Sequence, residues 1–170
     1  MQLAVAAVIQ EVISSYGFSP IRNLSGHGLG KFEIHTKPTI PNFDNGDKTA
    51  LREREVIAIE PFATSGKGVI YESSNPEVLM QASDRQARDS GVRQILDKIR
   101  SYEKLPFAKR WLLREFPAIK VSVALKSLQQ QGIVQVFPPL IEEAKGLVSQ
   151  AEKTILVTKD GCEVLTRSDA

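Results

Sequence analysis

Apolar residues recur at helical spacing at the start of the chain. Leu3, Val5, Val8, Ile9, Val12 and Ile13 fall on one face of a helix predicted over Met1 to Tyr16, with Gly17 as its C-cap. The periodicity then breaks. Leu24 to Gly30 (Leu-Ser-Gly-His-Gly-Leu-Gly) reads as a glycine-rich loop, and Pro38 and Pro41 flank a second irregular stretch that runs into the turn signal Asn45-Gly46. Val56 to Ile59 is an unbroken apolar run of strand length ending at Glu60 and Pro61, which predicts a buried strand. Gly66 and Gly68 mark a turn before a short strand, Val69 to Tyr71, and Ser73 to Pro76 is loop-like.

From there the pattern turns helical. Val92, Ile95, Leu96, Ile99 and Tyr102 share one face of a first helix, Phe107 to Phe116 predicts a second, and Val121 to Gln131 a third, stopped by Gly132. Ile133 to Phe137 follows as a strand ended by Pro138-Pro139, with Gly146 to Gln150 expected to return as its partner. Helix, helix, helix, strand, strand is the order of a winged-helix module. Lys153 to Thr158 and Glu163 to Leu165, around Asp160-Gly161, predict a closing hairpin. The class is α+β.

Composition narrows the setting. No apolar run approaches the roughly 20 residues of a membrane span, and no basic stretch precedes an apolar one at the N-terminus as in a signal peptide. The one cysteine, Cys162, allows no internal disulfide, so a cytoplasmic location is expected. The net charge of +2 divides unevenly: Gln81 to Gln130 carries eleven Lys or Arg against five Asp or Glu, a local +6, and the remainder sums to −4. Such a segment is either a solvated helical surface or a contact for nucleic acid. The third helix has Lys126 as its one basic residue, a poor instrument for reading base edges.

Three positions stand out as candidate chemistry. His27 lies between two glycines, Glu60 terminates a buried strand, and Glu152 opens another. A carboxylate at the edge of an apolar strand needs a partner, which a metal ion, an arginine or water can supply. His35, eight residues after His27, suits either catalysis or an ordinary half-buried role. The Gly26, Gly28, Gly30 spacing is not that of a dinucleotide fingerprint, Gly66-Lys67-Gly68 is not a P-loop, and Ser25 lacks the glycines of a hydrolase elbow.

Taken in order, the segments are more specific than any one of them. Asn23-Leu24-Ser25-Gly26-His27-Gly28-Leu29-Gly30, Ile34-His35, Ile40-Pro41 and Ala58-Ile59-Glu60-Pro61-Phe62-Ala63-Thr64 resemble the type 2 methionine aminopeptidases, the archaeal ones most closely. So do Leu105-Pro106-Phe107 with Arg110-Trp111-Leu112, Ala124-Leu125-Lys126-Ser127-Leu128, Phe137-Pro138-Pro139-Leu140 and Gln150-Ala151-Glu152-Lys153-Thr154-Ile155. The resemblance implies a pita-bread fold, of which this chain is the second half: residues 1–79 and 144–170 in the catalytic domain, and 80–143 as an inserted winged-helix-like subdomain. It implies removal of the initiator methionine from nascent polypeptides, with two divalent metal ions (Mn, Fe, Co or Zn) as cofactors. His27, Glu60 and Glu152 would be metal ligands, His35 would contact the substrate amide with Glu60 also moving the proton, and Ile34, Phe62 and Phe137 would line the methionine pocket. Phe137 stands where some relatives have tyrosine. Two further aspartate ligands and another histidine belong to the family's N-terminal half, which this sequence lacks, so that half is an expected partner and the chain alone is expected to be inactive. Ribosome association is a further possible partnership. The alternative is a non-catalytic pita-bread-like protein binding nucleic acid or the ribosome. A stand-alone winged-helix regulator leaves everything before Met80 unexplained.

Overall fold

The computed structural model describes residues 2–167, with residues 2–4 described in backbone only, so Leu3 of the expected apolar face lies outside the described side chains. In chain order the elements are α1 (Gln2–Ser15), β1 (Ser19–Pro20), β2 (Ser25–Gly30), β3 (Glu33–Pro41), β4 (Val56–Ile59), β5 (Phe62–Thr64), β6 (Ile70–Glu72) and β7 (Val78–Gln81). They continue as α2 (Ser90–Arg100), β8 (Phe107–Ala108), α3 (Lys109–Leu112), α4 (Ala118–Gln130), β9 (Val134–Phe137), β10 (Leu140–Glu142), β11 (Val148–Gln150), β12 (Lys153–Val157) and β13 (Cys162–Val164). The chain forms two compact units, one running up to Tyr71 and resuming at Leu140, the other Glu72–Pro139. The second unit is built on β7, which pairs with both β8 and β9.

The first unit holds a five-stranded sheet in the order β13-β12-β4-β2-β3 and a three-stranded sheet in the order β1-β5-β11. Ile40, Ile57, Ile155 and Val157 form the core of the larger sheet, with Val5 of α1 packed against it. Helix α1 buries Ala6, Ile9 and Ile13, three to four residues apart, while Val8 and Val12 of the expected face are exposed. It ends as expected at Gly17, whose φ of +77° suits a residue without a Cβ.

The glycine-rich segment is not a loop. Ser25 to Gly30 is strand β2, between β3 and β4, and the supposedly irregular stretch around Pro38 belongs to β3. Glycine weakens an isolated strand, which is why the sequence reads as a loop, but here it allows backbones to close up. A Cβ on Gly26 would stand 2.2 Å from the Ala58 carbonyl oxygen, and one on Gly28 would stand 2.1 Å from that of Lys37. Val56 to Ile59 is the strand its apolar run predicts, and β12 and β13 form the expected antiparallel hairpin.

In the second unit, α2 is capped by Asp89, whose side chain accepts from the Val92 N–H, and it buries Val92, Ile95, Leu96 and Ile99 as its periodicity predicts. The expected second helix shrinks to α3, because Phe107 and Ala108 are drawn into pairing with β7. Helix α4 buries Val121, Ala124, Leu125 and Leu128. Strand β9 pairs with β7, not with Gly146 to Gln150 as expected; the latter segment forms β11 and pairs with β5 in the first unit.

Candidate metal centre

Strand register assembles the site. His27 on β2 lies opposite Ala58 on β4, so the end of β4 carries Glu60 toward the imidazole. His27 Nε2 is 2.8 Å from Glu60 Oε1, and both side chains are largely buried, at 15% and 13% exposure. The other ring nitrogen, Nδ1, is 3.0 Å from the carbonyl oxygen of Gly28, which orients the ring as a donor there and leaves Nε2 aimed at the carboxylate. His35 on β3 meets the His27 ring edge to face, with centroids 4.4 Å apart.

A residue given no role by the sequence completes the pair. The Gln150 side chain donates from Nε2 to Glu60 Oε2 at 3.1 Å, and Ala151 N–H donates to the Pro61 carbonyl at 3.2 Å. Both contacts follow from the pairing of β11 with β5, in which Gln150 lies opposite Phe62. The position of Gln150 two residues before Glu152 was the available hint.

Electrostatics are adverse for the carboxylate. Burial, and next the negative charge of Glu152, push the Glu60 carboxyl above its ordinary range, although His27 and Gln150 act in the opposite sense. His35 is exposed overall rather than half-buried, but partial burial of its imidazole, and then the neighbouring His27, hold it below its usual value. His35 is therefore mostly neutral near pH 7, with a single ring N–H to donate.

His27, Glu60 and His35 are thus brought together. Glu152 follows β11, immediately before β12; it is exposed and acts on Glu60 through its charge. Among the described residues, no group of three His, Cys, Asp or Glu side chains converges as a metal-holding cluster. Ile34 is half-buried beside His35 on β3, and Phe62 is half-buried on β5. Phe137 is half-buried on β9 in the second unit, opposite Val78.

The sequence matches the description of metallopeptidase family M24 over residues 3–159. The chain belongs to that family. It is 40% identical over 164 residues to a methionine aminopeptidase of Thermococcus onnurineus, covering 95% of this chain and 56% of the relative. The corresponding enzyme of Pyrococcus abyssi is 42% identical over 160 residues, covering 93% and 54%. The chain therefore spans about half the length of the curated relatives it matches. Two solved structures share its fold: a thermophilic Arx1, with a TM-score of 0.80, 16% identity and coverage of 100% and 47%, and a methionine aminopeptidase of Thermotoga maritima, with a TM-score of 0.54, 21% identity and coverage of 98% and 43%.

For an M24 chain the donor set makes chemical sense. An imidazole and a carboxylate already share one spot, and a second carboxylate close enough to disfavour the first is an arrangement that a cation relieves. These residues fit one side of a metal centre. They do not close a shell, because a divalent ion in an oxygen- and nitrogen-rich site takes four to six ligands.

Proposed function

We propose that this chain supplies the C-terminal part of a methionine aminopeptidase and that its His27–Glu60 site holds part of a dinuclear metal centre for removal of N-terminal methionine. The observation that carries the reading is the 2.8 Å pairing of His27 with Glu60, beside the charge of Glu152, in a chain of a metallopeptidase family. His27, Glu60 and Glu152 would hold divalent ions (Mn, Fe, Co or Zn), and the remaining ligands would come from the part of the relatives' length that this chain does not span. When bound, such ions supply Lewis acidity and lower the pKa of a coordinated water toward neutrality.

The chain's own residues then have separate tasks. Glu60 takes a proton from the attacking water on a carboxylate oxygen and returns it to the leaving amine. Neutral His35 donates its ring N–H to the substrate amide oxygen as negative charge develops there. Ile34 and Phe62 offer apolar surface to the methionine side chain, whose thioether packs well against an aromatic ring. The second unit, Glu72–Pro139, is read as the winged-helix-like insertion of a pita-bread enzyme.

The test is methionine release from a Met-Ala-initiated peptide with Mn or Co present, first with this chain alone and then after addition of an N-terminal half taken from an archaeal relative. The chain alone is expected to release none, and the mixture to show chelator-sensitive release. No release from a mixture that forms a stable complex, with Co bound at His27, would favour the alternative of a non-catalytic binding protein.

A further inference from the structure

Strands β5 and β11 pair in register, Val148 opposite Thr64 and Ser149 opposite Ala63, yet about half of the chain's length separates them. A contiguous hairpin would close such a pair with a short turn. Here β6 and β10, paired with each other, lead away from the two strands, and one side chain at the end of β10 ties the loops between them. Glu142 is buried, with 3% of its surface exposed, and its carboxylate takes up backbone amides from both connecting loops. Oε1 accepts from Lys67 N–H, and Oε2 accepts from Ala144 N–H at 2.7 Å and Gly146 N–H at 2.9 Å.

Glycines make the enclosure possible. A Cβ on Gly66 would stand 2.2 Å from Glu142 Oε2, and a Cβ on Gly146 would stand 2.4 Å from the Gly66 nitrogen. The loops are further tied by Ser65 N–H to the Leu147 carbonyl at 3.1 Å and by Leu147 N–H to Ser65 Oγ at 3.1 Å. At the far end of the same strand pair, Gln150 reaches Glu60.

We propose that Glu142 is a positioning residue for the His27–Glu60 site: its carboxylate clamps the loop after β5 to the loop before β11 and thereby holds Gln150 in hydrogen-bonding reach of Glu60. The proposal rests on the metal-centre reading for its functional meaning, but its structural claim stands or falls separately. A buried carboxylate satisfied by several N–H groups is strongly held, and an amide in its place presents donors to donors.

The experiment uses the 170-residue chain and its Glu142→Gln variant. Two signals are read: the side-chain amide resonances of Gln150 with backbone exchange at Ser149 and Gln150, and Co(II) affinity by titration. Gly146→Ala, which crowds the same enclosure while leaving the carboxylate in place, serves as a second perturbation. Both variants are expected to keep the amide protection of α2 and α4 in the second unit. They are expected to lose protection in β11 roughly tenfold or more, shift the Gln150 side-chain signals toward those of a solvated amide, and weaken Co(II) binding about tenfold. Intact β11 protection and an unmoved Gln150 signal in either folded variant overturn the proposal. Failure of the unaltered chain to bind Co(II) even in complex with the archaeal N-terminal half counts against the metal-centre reading alone, because the exchange and Gln150 signals still decide the positioning role. If Glu142→Gln does not fold, Gly146→Ala carries the decision.

Discussion

Replacing Gly26 by alanine probes the contact on which the site is built. The added Cβ would lie 2.2 Å from the Ala58 carbonyl oxygen and 3.2 Å from both the Ala58 carbonyl carbon and the Glu60 nitrogen. Non-bonded heavy atoms settle near 3.5 Å, so the shortfall at the oxygen is about 1 Å. No rotamer relieves it, since both the new atom and its neighbour are fixed to backbone. Strand β2 can only move away from β4, and β3 on its other side resists that. Overpacking typically costs about 1–3 kcal/mol. If the His27 to Ala58 register also loosens, one or two ladder hydrogen bonds go at about 1 kcal/mol each. The expected loss is roughly 3–4 kcal/mol, a large part of the usual total of about 5–15 kcal/mol. Urea unfolding followed by circular dichroism measures it, with Gly46→Ala as control. Gly46 has a φ of +76° but nothing within 4 Å of a built Cβ, so only the left-handed backbone penalty of roughly 1–2 kcal/mol applies there. A Gly26→Ala chain no less stable than the Gly46→Ala chain would refute the close-approach argument.

Other consequences can be checked independently. Ile95→Ala, at a fully buried position of α2, is expected to cost about 2–5 kcal/mol, read by the fluorescence of Trp111 in the same unit during urea unfolding. Glu142 is held below the ordinary carboxylate value of 4.5, mainly by the Gly146 amide, so its contribution to stability is fully present above that pH and is lost as pH falls through its lower folded value; Glu142→Gln should flatten this acid limb of the stability profile, and an unchanged limb would assign the acid sensitivity elsewhere. In the completed, metal-loaded enzyme, His35→Ala should lower kcat roughly 10²-fold while metal content stays at the unaltered level, and unchanged kinetics would remove His35 from the chemistry.

What the sequence disclosed tracks the range of the forces involved. Val56 to Ile59 and the α2 face of Val92, Ile95, Leu96 and Ile99 were legible because burial of an element's own residues decides them. Strand β2 was not, because its glycines are favourable only once the Ala58 and Lys37 carbonyls are known to press against them. The partner of β9 was misassigned for a related reason: Gly146 to Gln150 is near in sequence and has strand character, but β7 and β5 compete for the two segments, and adjacency says nothing about that outcome. His27 and Glu60 were legible through the family resemblance, since spacing alone leaves arginine or water as equal partners for a strand-end carboxylate. Glu142 had no local signal, as its amide donors come from Lys67 on one loop and Ala144 and Gly146 on another.

The charge balance around Glu60 connects the structure to the proposed chemistry. Hydrogen bonds from His27 and Gln150 both favour the ionised carboxylate, and so does the nearby imidazole. They are nevertheless outweighed by burial and by Glu152. The charge of Glu152 thus bears on a carboxylate that is already buried and paired with His27. A divalent ion there would neutralise both carboxylates and favour deprotonated Glu60, reversing the sign of the effect that burial and Glu152 impose. In the proposed reaction His35 acts as donor rather than ligand. Held below its usual value by burial and by His27, it stays neutral, and one neutral N–H can stabilise a developing oxyanion without adding a charge that would compete with the metal.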